Sequence, residues 1–275
     1  MFNSNIHTHT QFCDGRNTME EMVQTAIQQG FVSLGFSPHA PIADQPDWTM
    51  RRGSLPDYFA EISRLRGLYG EQIELLCGIE VDTDSGVPSA DFTYLVGGVH
   101  RMEVDGQKWT VDYSAQRLQE CIDTAFGGDA VAMSAYYFAY LADFIISQPR
   151  VDVVAHFDLI TKFAQRGLAI DTANPDYVNA ALGAVDRIVS AKSDIIFEVN
   201  IGAMHRAGRT QPYPELFILQ HIARRGAPVT ITTDAHDTAG LSAPLDSAVE
   251  LCRRAGIKSA LRLREGGWEE VGIGR

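Results

Sequence analysis

Six of the eight histidines in this 275-residue chain stand in short polar segments shared with carboxylates: His7-Thr8-His9 with Asp14 just beyond, His39, Glu80, His100, His156, and Asp234-Ala235-His236. In an extended segment successive side chains point to opposite sides. His7 and His9 therefore share a side and can grip one ion, and Asp234 and His236 repeat the pattern. Imidazole and carboxylate donors without a thiolate suit Zn, Mn or Fe in a hydrolytic site and speak against a structural zinc knuckle; a Cys13 ligand is unneeded. Nine candidate ligands are too many for one ion, and at about three protein ligands per catalytic metal they make a cluster of two or three divalent ions. Glu80 is the natural bridge, because its two oxygens can hold adjacent ions. Water shared by such ions is a nucleophile at neutral pH. Asp14, Glu80 and His236 are the candidates for direct catalytic roles, with Asp14 also open to a plainer reading as a turn residue before Gly15. Of the remaining histidines, His221 falls within an amphipathic helical stretch and reads as structural, while His205 falls in a loop and stays unassigned.

Such a cluster needs a frame that gathers residues from both ends of the chain. Seven apolar, β-branched runs, at 3–6, 32–36, 74–79, 94–99, 151–155, 194–199 and 228–232, alternate with amphipathic stretches at 18–29, 55–69, 115–126, 131–147, 177–191, 214–225 and 245–255. That alternation predicts βα units around a parallel sheet. Gly30, Gly70, Gly226 and Gly256 stand where helix C-caps are expected. His7 and His9 close the first run, His39 follows the second, Glu80 and His100 end the third and fourth, His156 ends the fifth, and Asp234 and His236 follow the seventh. Glu198 and Asn200 hold the matching station on the sixth. In a closed α/β barrel the C-terminal ends of the strands form the active-site face, so these residues are expected at one mouth. Residues 38–56, rich in Pro, Asp and Arg, are too long for an ordinary βα loop and too polar for core, as a lid or binding loop would be. The Val104-Asp105-Gly106-Gln107 segment predicts a β-hairpin. No Pro/Ser/Gly-rich linker and no internal repeat interrupts the chain, which predicts one domain over residues 1–275.

Composition narrows the partners. At 45% hydrophobic and 21% charged residues the chain fits neither a disordered tail nor a fibrous repeat. A net charge of −12 argues against coating a nucleic-acid backbone. No run approaches 18 consecutive apolar residues and the first twenty residues lack a signal-peptide pattern, so no membrane association is expected. The four cysteines form no Cys-x-x-Cys pair and read as reduced thiols of a cytoplasmic protein. Oligomeric state is not legible.

At these residues the sequence resembles the PHP (polymerase and histidinol phosphatase) superfamily, and within it the monofunctional histidinol-phosphatase branch. The resemblance runs through His7-Thr8-His9-Thr10, Phe12-Cys13-Asp14-Gly15, Phe36-Ser37-Pro38-His39-Ala40-Pro41, Gly78-Ile79-Glu80-Val81-Asp82, Gly97-Gly98-Val99-His100, Ala155-His156-Phe157-Asp158, Glu198-Val199-Asn200, Thr233-Asp234-Ala235-His236 and Tyr213-Pro214. It implies an α/β fold, a distorted, TIM-barrel-like (β/α)7 barrel with its site at the C-terminal strand ends. It also implies a trinuclear cluster, with His7, His9, Glu80 and Asp234 on the first metal, Glu80, His100 and His156 on the second, and Asp14, His39 and His236 on the third. Gly15 and Arg16 stand where some relatives carry a histidine, which makes the third metal weaker or exchangeable. Asp14 has an alternative role as the acid that protonates the leaving alkoxide.

The implied reaction is hydrolysis of L-histidinol phosphate, a small phosphate monoester, in histidine biosynthesis. Three divalent ions against the carboxylates Asp14, Glu80 and Asp234 leave a positive centre in an otherwise acidic protein. Lys162, Arg206 and Arg209 are the expected phosphate-binding residues, with Arg51 and Arg52 behind them. Asp44, Asp47 and Glu198 are candidate acceptors for the ammonium and imidazole groups. Two other readings stand beside this one: a nucleotide or oligonucleotide phosphoesterase, and a metal-holding but inactive regulatory module. Isolated basic residues weigh against the first, and filled ligand stations against the second.

Overall fold

The structure, a computed structural model, describes residues 2–85, 92–168 and 170–273. Its elements follow in chain order. β1 (Ser4–Asn5), α1 (Met19–Gln28), β2 (Ser33–Phe36), α2 (Leu55–Tyr69), β3 (Glu74–Val81) and β4 (Tyr94–Gly97) lead to a hairpin, β5 (Arg101–Val104) and β6 (Gln107–Thr110). Two helices, α3 (Ala115–Phe126) and α4 (Ala130–Ser147), precede β7 (Val153–Val154). Then come α5 (Pro175–Ala191), β8 (Ile196–Asn200), α6 (Gly202–Ala207), α7 (Leu216–Arg224), β9 (Val229–Thr232), α8 (Thr238–Leu241), α9 (Asp246–Arg254) and a closing hairpin, β10 (Ser259–Arg264) with β11 (Gly267–Gly272).

Seven of these strands pair in parallel in the order β1-β2-β3-β4-β7-β8-β9. A bridge between Thr8 and Ala235 draws the two outer strands together. There the His9 amide donates to Ala235 O at 2.8 Å and the Ala235 amide to His7 O at 3.2 Å. The result is a nearly closed barrel with helices between the strands, the (β/α)7 arrangement expected from the sequence. Strands β1 and β7 keep only two residues each in the ladder, shorter than the apolar runs that predict them.

Local chemistry sets the helix limits. Thr18 and Glu21 form a capping box at α1. Asp129 accepts from the amides of Val131 and Ala132, so α4 starts one residue earlier than its apolar pattern. Asn174 caps α5 with Pro175 in the first turn, which carries that helix two residues further back. The next limit moves the other way: α7 begins at Leu216 because Tyr213 pairs with Asn200 as extended chain. Gly30, Gly226 and Gly256 take positive φ after their helices, whereas Gly70 stays in the helical region at φ −60°. The α4 segment has 18 residues at mean hydropathy 1.4, long and apolar enough to cross a membrane. Here its buried face, including Met133, Tyr137, Phe138, Leu141 and Ile145, packs in the barrel's helical layer, chiefly against α5.

The barrel interior is layered. Ile6, Leu76, Tyr94, Val96, Val153, Ala155, Ile196 and Leu263 form one apolar cluster, separate from the larger core between sheet and helices. Strand alternation then stacks Gly78 and Glu80 above Leu76 on one face of β3. A Cβ at Gly78 would meet the Tyr94 ring at 2.2 Å, so glycine there leaves the room that the tyrosine fills. Leu263 enters this cluster from the closing hairpin, which the sequence reading left unassigned. The Ser33 hydroxyl donates to Leu263 O at 2.8 Å, and Arg264 forms a two-pronged contact with Glu74 at 2.6 and 2.7 Å. The β5–β6 hairpin forms as expected, with Asp105 and Gly106 both at positive φ.

Candidate metal centre

Each predicted ligand leaves a strand end and turns toward one point. Asn5 fixes the first: its side-chain amide donates to His7 O at 2.8 Å and Thr8 Oγ1 at 2.7 Å, while its carbonyl accepts from the Thr233 amide at 2.8 Å. This ties the exit of β1 to that of β9. The Ala40 amide donates to Glu80 O at 2.7 Å, setting His39 beside β3. His156 and Asp234 have positive φ, +20° and +46°, the kind of backbone strain held by surrounding contacts at functional sites. Gly98 allows close approach, since a Cβ there would lie 2.8 Å from His156 Cε1.

Glu80 is the centre of the cluster. Its Oε2 lies 2.9 Å from His39 Nδ1, 3.2 Å from His7 Nε2 and 3.4 Å from His9 Nε2, and its Oε1 lies 3.0 Å from His156 Nε2 and 3.5 Å from His100 Nε2. The two oxygens thus face different imidazoles. Asp234 Oδ1 stands 3.3 Å from His9 Nε2 and 3.7 Å from His7 Nε2. Asp14 is 3.2 Å from His236 Nε2 and 3.5 Å from His9 Nδ1. Ligand atoms gather within 4.8 Å of one another in four sets: His7, His9 and Asp234; His7, Glu80 and His156; His39, Glu80 and His100; and His9, Asp14, His39 and His236. These sets share members, so His9 also meets the Asp14 group and His39 also meets the Glu80 group.

Behind the imidazoles stand acceptors that fix their tautomers. Glu198 Oε1 is 2.5 Å from His7 Nδ1, and the same carboxylate accepts from the His156 amide, Asn200 and Thr232. Asp82 Oδ2 is 3.1 Å from His100 Nδ1, and the Asp234 carbonyl is 3.0 Å from His236 Nδ1. Burial disfavours the charged form of His7, but Glu198, Glu80 and Asp234 outweigh it and raise its pKa well above the usual histidine range. For His100 burial is likewise overcome, by Glu80 and Asp82, and the pKa is pushed up to about 9. Burial with His236 and His39 alongside lowers His9, and burial with Arg206 lowers His236, so both are held neutral, the form that ligates. Against the opposing effect of burial, His39, His7 and His100 hold Glu80 well below the usual carboxylate range; His236, His39 and His9 do the same for Asp14. An ionised Asp14 is a ligand or proton acceptor as it stands, and an acid role requires it first to take up a proton.

The donor set fits divalent ions. Among the described residues, buried His7 Nε2, His9 Nε2, Glu80 Oε2 and His156 Nδ1 have no hydrogen-bond partner, an arrangement that is costly in a protein interior unless something else satisfies the atoms. Cys13 Sγ lies 3.3 Å from His9 Nδ1, but burial, with Asp14 beside it, pushes the thiol well up, so no thiolate competes.

A cavity of about 220 Å³ opens over this cluster, walled by Asp14, His39, His100, His156 and Asp234 on one side and by Asp47, Trp48, Thr110, Asp112 and Tyr113 on the other, with Lys162 and Arg206 at its edge. Lys162 follows the 3-10 turn after β7 and donates to Asp112 Oδ2 at 2.9 Å. Arg206, on α6, reaches Asp234 Oδ2 at 3.0 Å and His236 Nε2 at 2.8 Å. Other expectations change. Arg209 is buried, stacked 4.3 Å over the Tyr213 ring and bonded to Gln211 O and the Thr161 side chain, so its geometry supports holding loops together and not contact with phosphate. Asp44 is engaged with Arg101 at 2.8 and 3.0 Å, and Glu198 is sealed behind His7, leaving Asp47 as the only one of the three proposed substrate acceptors on the cavity wall. His205 lies on α6 instead of in a loop and faces Asp237 at 3.3 Å, and His221 contacts Asp186 at 2.7 Å. Arg51 and Arg52 are exposed and line none of this cavity. The sequence reading missed Asp82, Asp112, Trp48 and Tyr113. Only Asp82 carried a signal, two residues beyond Glu80 on the same strand face.

Compared with known proteins, the PHP domain family matches residues 5–201. A Schizosaccharomyces pombe protein named "Probable histidinol-phosphatase" is 26% identical, over 94% of this chain and 89% of that protein. A Bacillus subtilis histidinol-phosphatase is 24% identical, over 90% of this chain and 98% of its own. A Lactococcus lactis histidinol phosphate phosphatase, solved with Zn, L-histidinol and phosphate, shares the fold with a TM-score of 0.69 at 17% identity, covering 98% of this chain and 99% of that one.

Proposed function

The chain belongs to the PHP domain family, and on that premise we propose that it is a metal-dependent phosphatase that hydrolyses L-histidinol phosphate to L-histidinol and inorganic phosphate, a step of histidine biosynthesis. One observation carries the reading: among the described residues the buried His7 Nε2, His9 Nε2 and Glu80 Oε2 have no hydrogen-bond partner and lie together at the mouth of the barrel, beside a cavity lined by Lys162 and Arg206.

His7, His9, Glu80 and Asp234 would hold the first ion, Glu80, His100 and His156 the second, and Asp14, His39 and His236 the third, with Zn, Mn and Fe all suited to the donors. When bound, such ions supply Lewis acidity and a water that is nucleophilic at neutral pH. The chain's own side chains do the rest. Glu198, Asp82 and the Asp234 carbonyl hold the Nδ1 protons of His7, His100 and His236, so that each Nε2 faces inward. Lys162 offers the phosphate a point charge and Arg206 a planar fork, together balancing charge on the phosphoryl oxygens. Asp14, with 30% of its side chain exposed at the cavity and His236 against it, has a second role as the alternative to ligation: free of an ion and after taking up a proton, it is the carboxyl that could pass that proton to the leaving alcohol oxygen. A cavity of about 220 Å³ suits a small monoester better than a nucleic-acid strand. A single domain over residues 1–275, a cytoplasmic setting, and no nucleic-acid or membrane partner belong to the same reading.

Phosphate release by the metal-replete protein from L-histidinol phosphate, p-nitrophenyl phosphate and mononucleotides tests it. L-histidinol phosphate is expected to give the highest kcat/KM. Faster turnover of mononucleotides would overturn the reading.

A further inference from the structure

The cavity continues outward. Asp47, Trp48, Thr110 and Tyr113 line both the chamber over the metal centre and a second one of about 360 Å³, whose far side is built by the β5–β6 hairpin and the start of α3. The cations of this outer chamber are already engaged: Lys108 with Asp84 at 2.7 Å and Arg117 with Glu120 at 2.9 Å. Asp112, on the wall of the inner chamber, is taken by Lys162. Among the described residues Asp47 makes no hydrogen bond or ion pair. Trp48 beside it is fixed by ring contacts, 4.9 Å from His39 and 5.8 Å from His100. Across the opening, Tyr113 is 72% exposed, an aromatic face with no packing role that explains it.

We propose that Asp47, Trp48 and Tyr113 form the specificity subsite of this enzyme, taking the cationic, heterocyclic end of the substrate. The inference rests on the phosphatase reading and adds the residues that choose the substrate. Two aromatic faces beside an unpaired carboxylate attract a flat cationic ring or an ammonium group by cation–π and charge interactions. The same carboxylate repels phosphate. A molecule with an anion at one end and a cation at the other is therefore oriented by the cavity itself, phosphate toward Lys162 and Arg206, ring toward the 38–56 loop and the hairpin. Simple phosphate esters gain only the first half of this recognition.

The test compares kcat/KM for L-histidinol phosphate with that for p-nitrophenyl phosphate, which has no cation, in the metal-replete wild type and in variants. Asp47→Asn is expected to lower the ratio about tenfold, the scale of a charged hydrogen bond. Tyr113→Ala lowers it several-fold, and Tyr113→Phe, which keeps the ring, restores most of the loss. Asp44→Asn, on the same loop but paired with Arg101, leaves the ratio unchanged. An unchanged ratio in Asp47→Asn, or an equal fall in Asp44→Asn, overturns the proposal. A wild type that fails to prefer L-histidinol phosphate at all overturns the histidinol-phosphatase reading, a distinct result seen before any variant is made.

Discussion

In the lower barrel, Leu76, Tyr94, Val96, Val153 and Ile196 close around Leu263 with no charged side chain among them. About 13 Å further along β3, the same wall carries Glu80 among five imidazoles, with Glu198 and Asp234 close by. Both layers are buried, but they are held by different forces. The apolar layer gains stability from removing hydrocarbon from water. The polar layer would be costly by itself, and persists because nearly every donor meets an acceptor and the remainder point at a common place. Stability and chemistry are thus divided between two levels of one set of strands, as in other α/β barrels.

Changes at the two levels should therefore have opposite signatures. Glu80→Gln should reduce kcat/KM by about a thousandfold or more and lower the bound metal per chain, while urea unfolding of the metal-free protein shifts little; an active variant with full metal content would refute the bridge. Leu263→Ala should lower unfolding free energy by about 2–4 kcal/mol in urea titrations and leave kcat within twofold of wild type. If kcat fell in step with stability, the division between levels would be wrong. Glu198→Gln tests the boundary: metal affinity, read by chelator competition, should weaken about 10–100-fold through loss of the acceptor behind His7. The smallest effect belongs to Arg206→Ala, where KM for phosphate esters should rise about tenfold with less change in metal content. By contrast, Arg209→Ala should lower the melting temperature without a comparable rise in KM.

The upper level was the more legible one in the sequence. Metal chemistry restricts residue types so strongly that His7-Thr8-His9 and Asp234-Ala235-His236 reveal themselves without any fold, and the regular βα alternation then places them on one face. Helix limits were legible to within a residue or two: α2 and α3 match to the residue, α1, α7 and α9 end one residue before the expected limit, and Asp129 and Asn174 carried α4 and α5 past their apolar patterns. What the sequence concealed depends on contacts remote along the chain. Nothing near Arg209 tells that its guanidinium is spent on Thr161 and Tyr213, and nothing near Asp112 tells that it pairs with Lys162 fifty residues away. The closing hairpin had a local signal, the alternation in Ser259–Arg264 before Gly266, but its role as a plug exists only once the barrel surrounds Leu263.

The bridge between Thr8 and Ala235 has a consequence for when the centre can come into being. His7 and His9 precede Asp234 and His236 by more than two hundred residues, and so leave the ribosome well before them. Until β9 docks beside β1, the early histidines lack their last carboxylate and imidazole, so the full ligand set cannot precede completion of the barrel. An ion held across this seam would act as a fastener on the final closure, adding its binding free energy to the contact between the first strand and the last. Stripping the ions should then loosen the β1–β9 amides before those of β3 and β4, an order that hydrogen exchange can read.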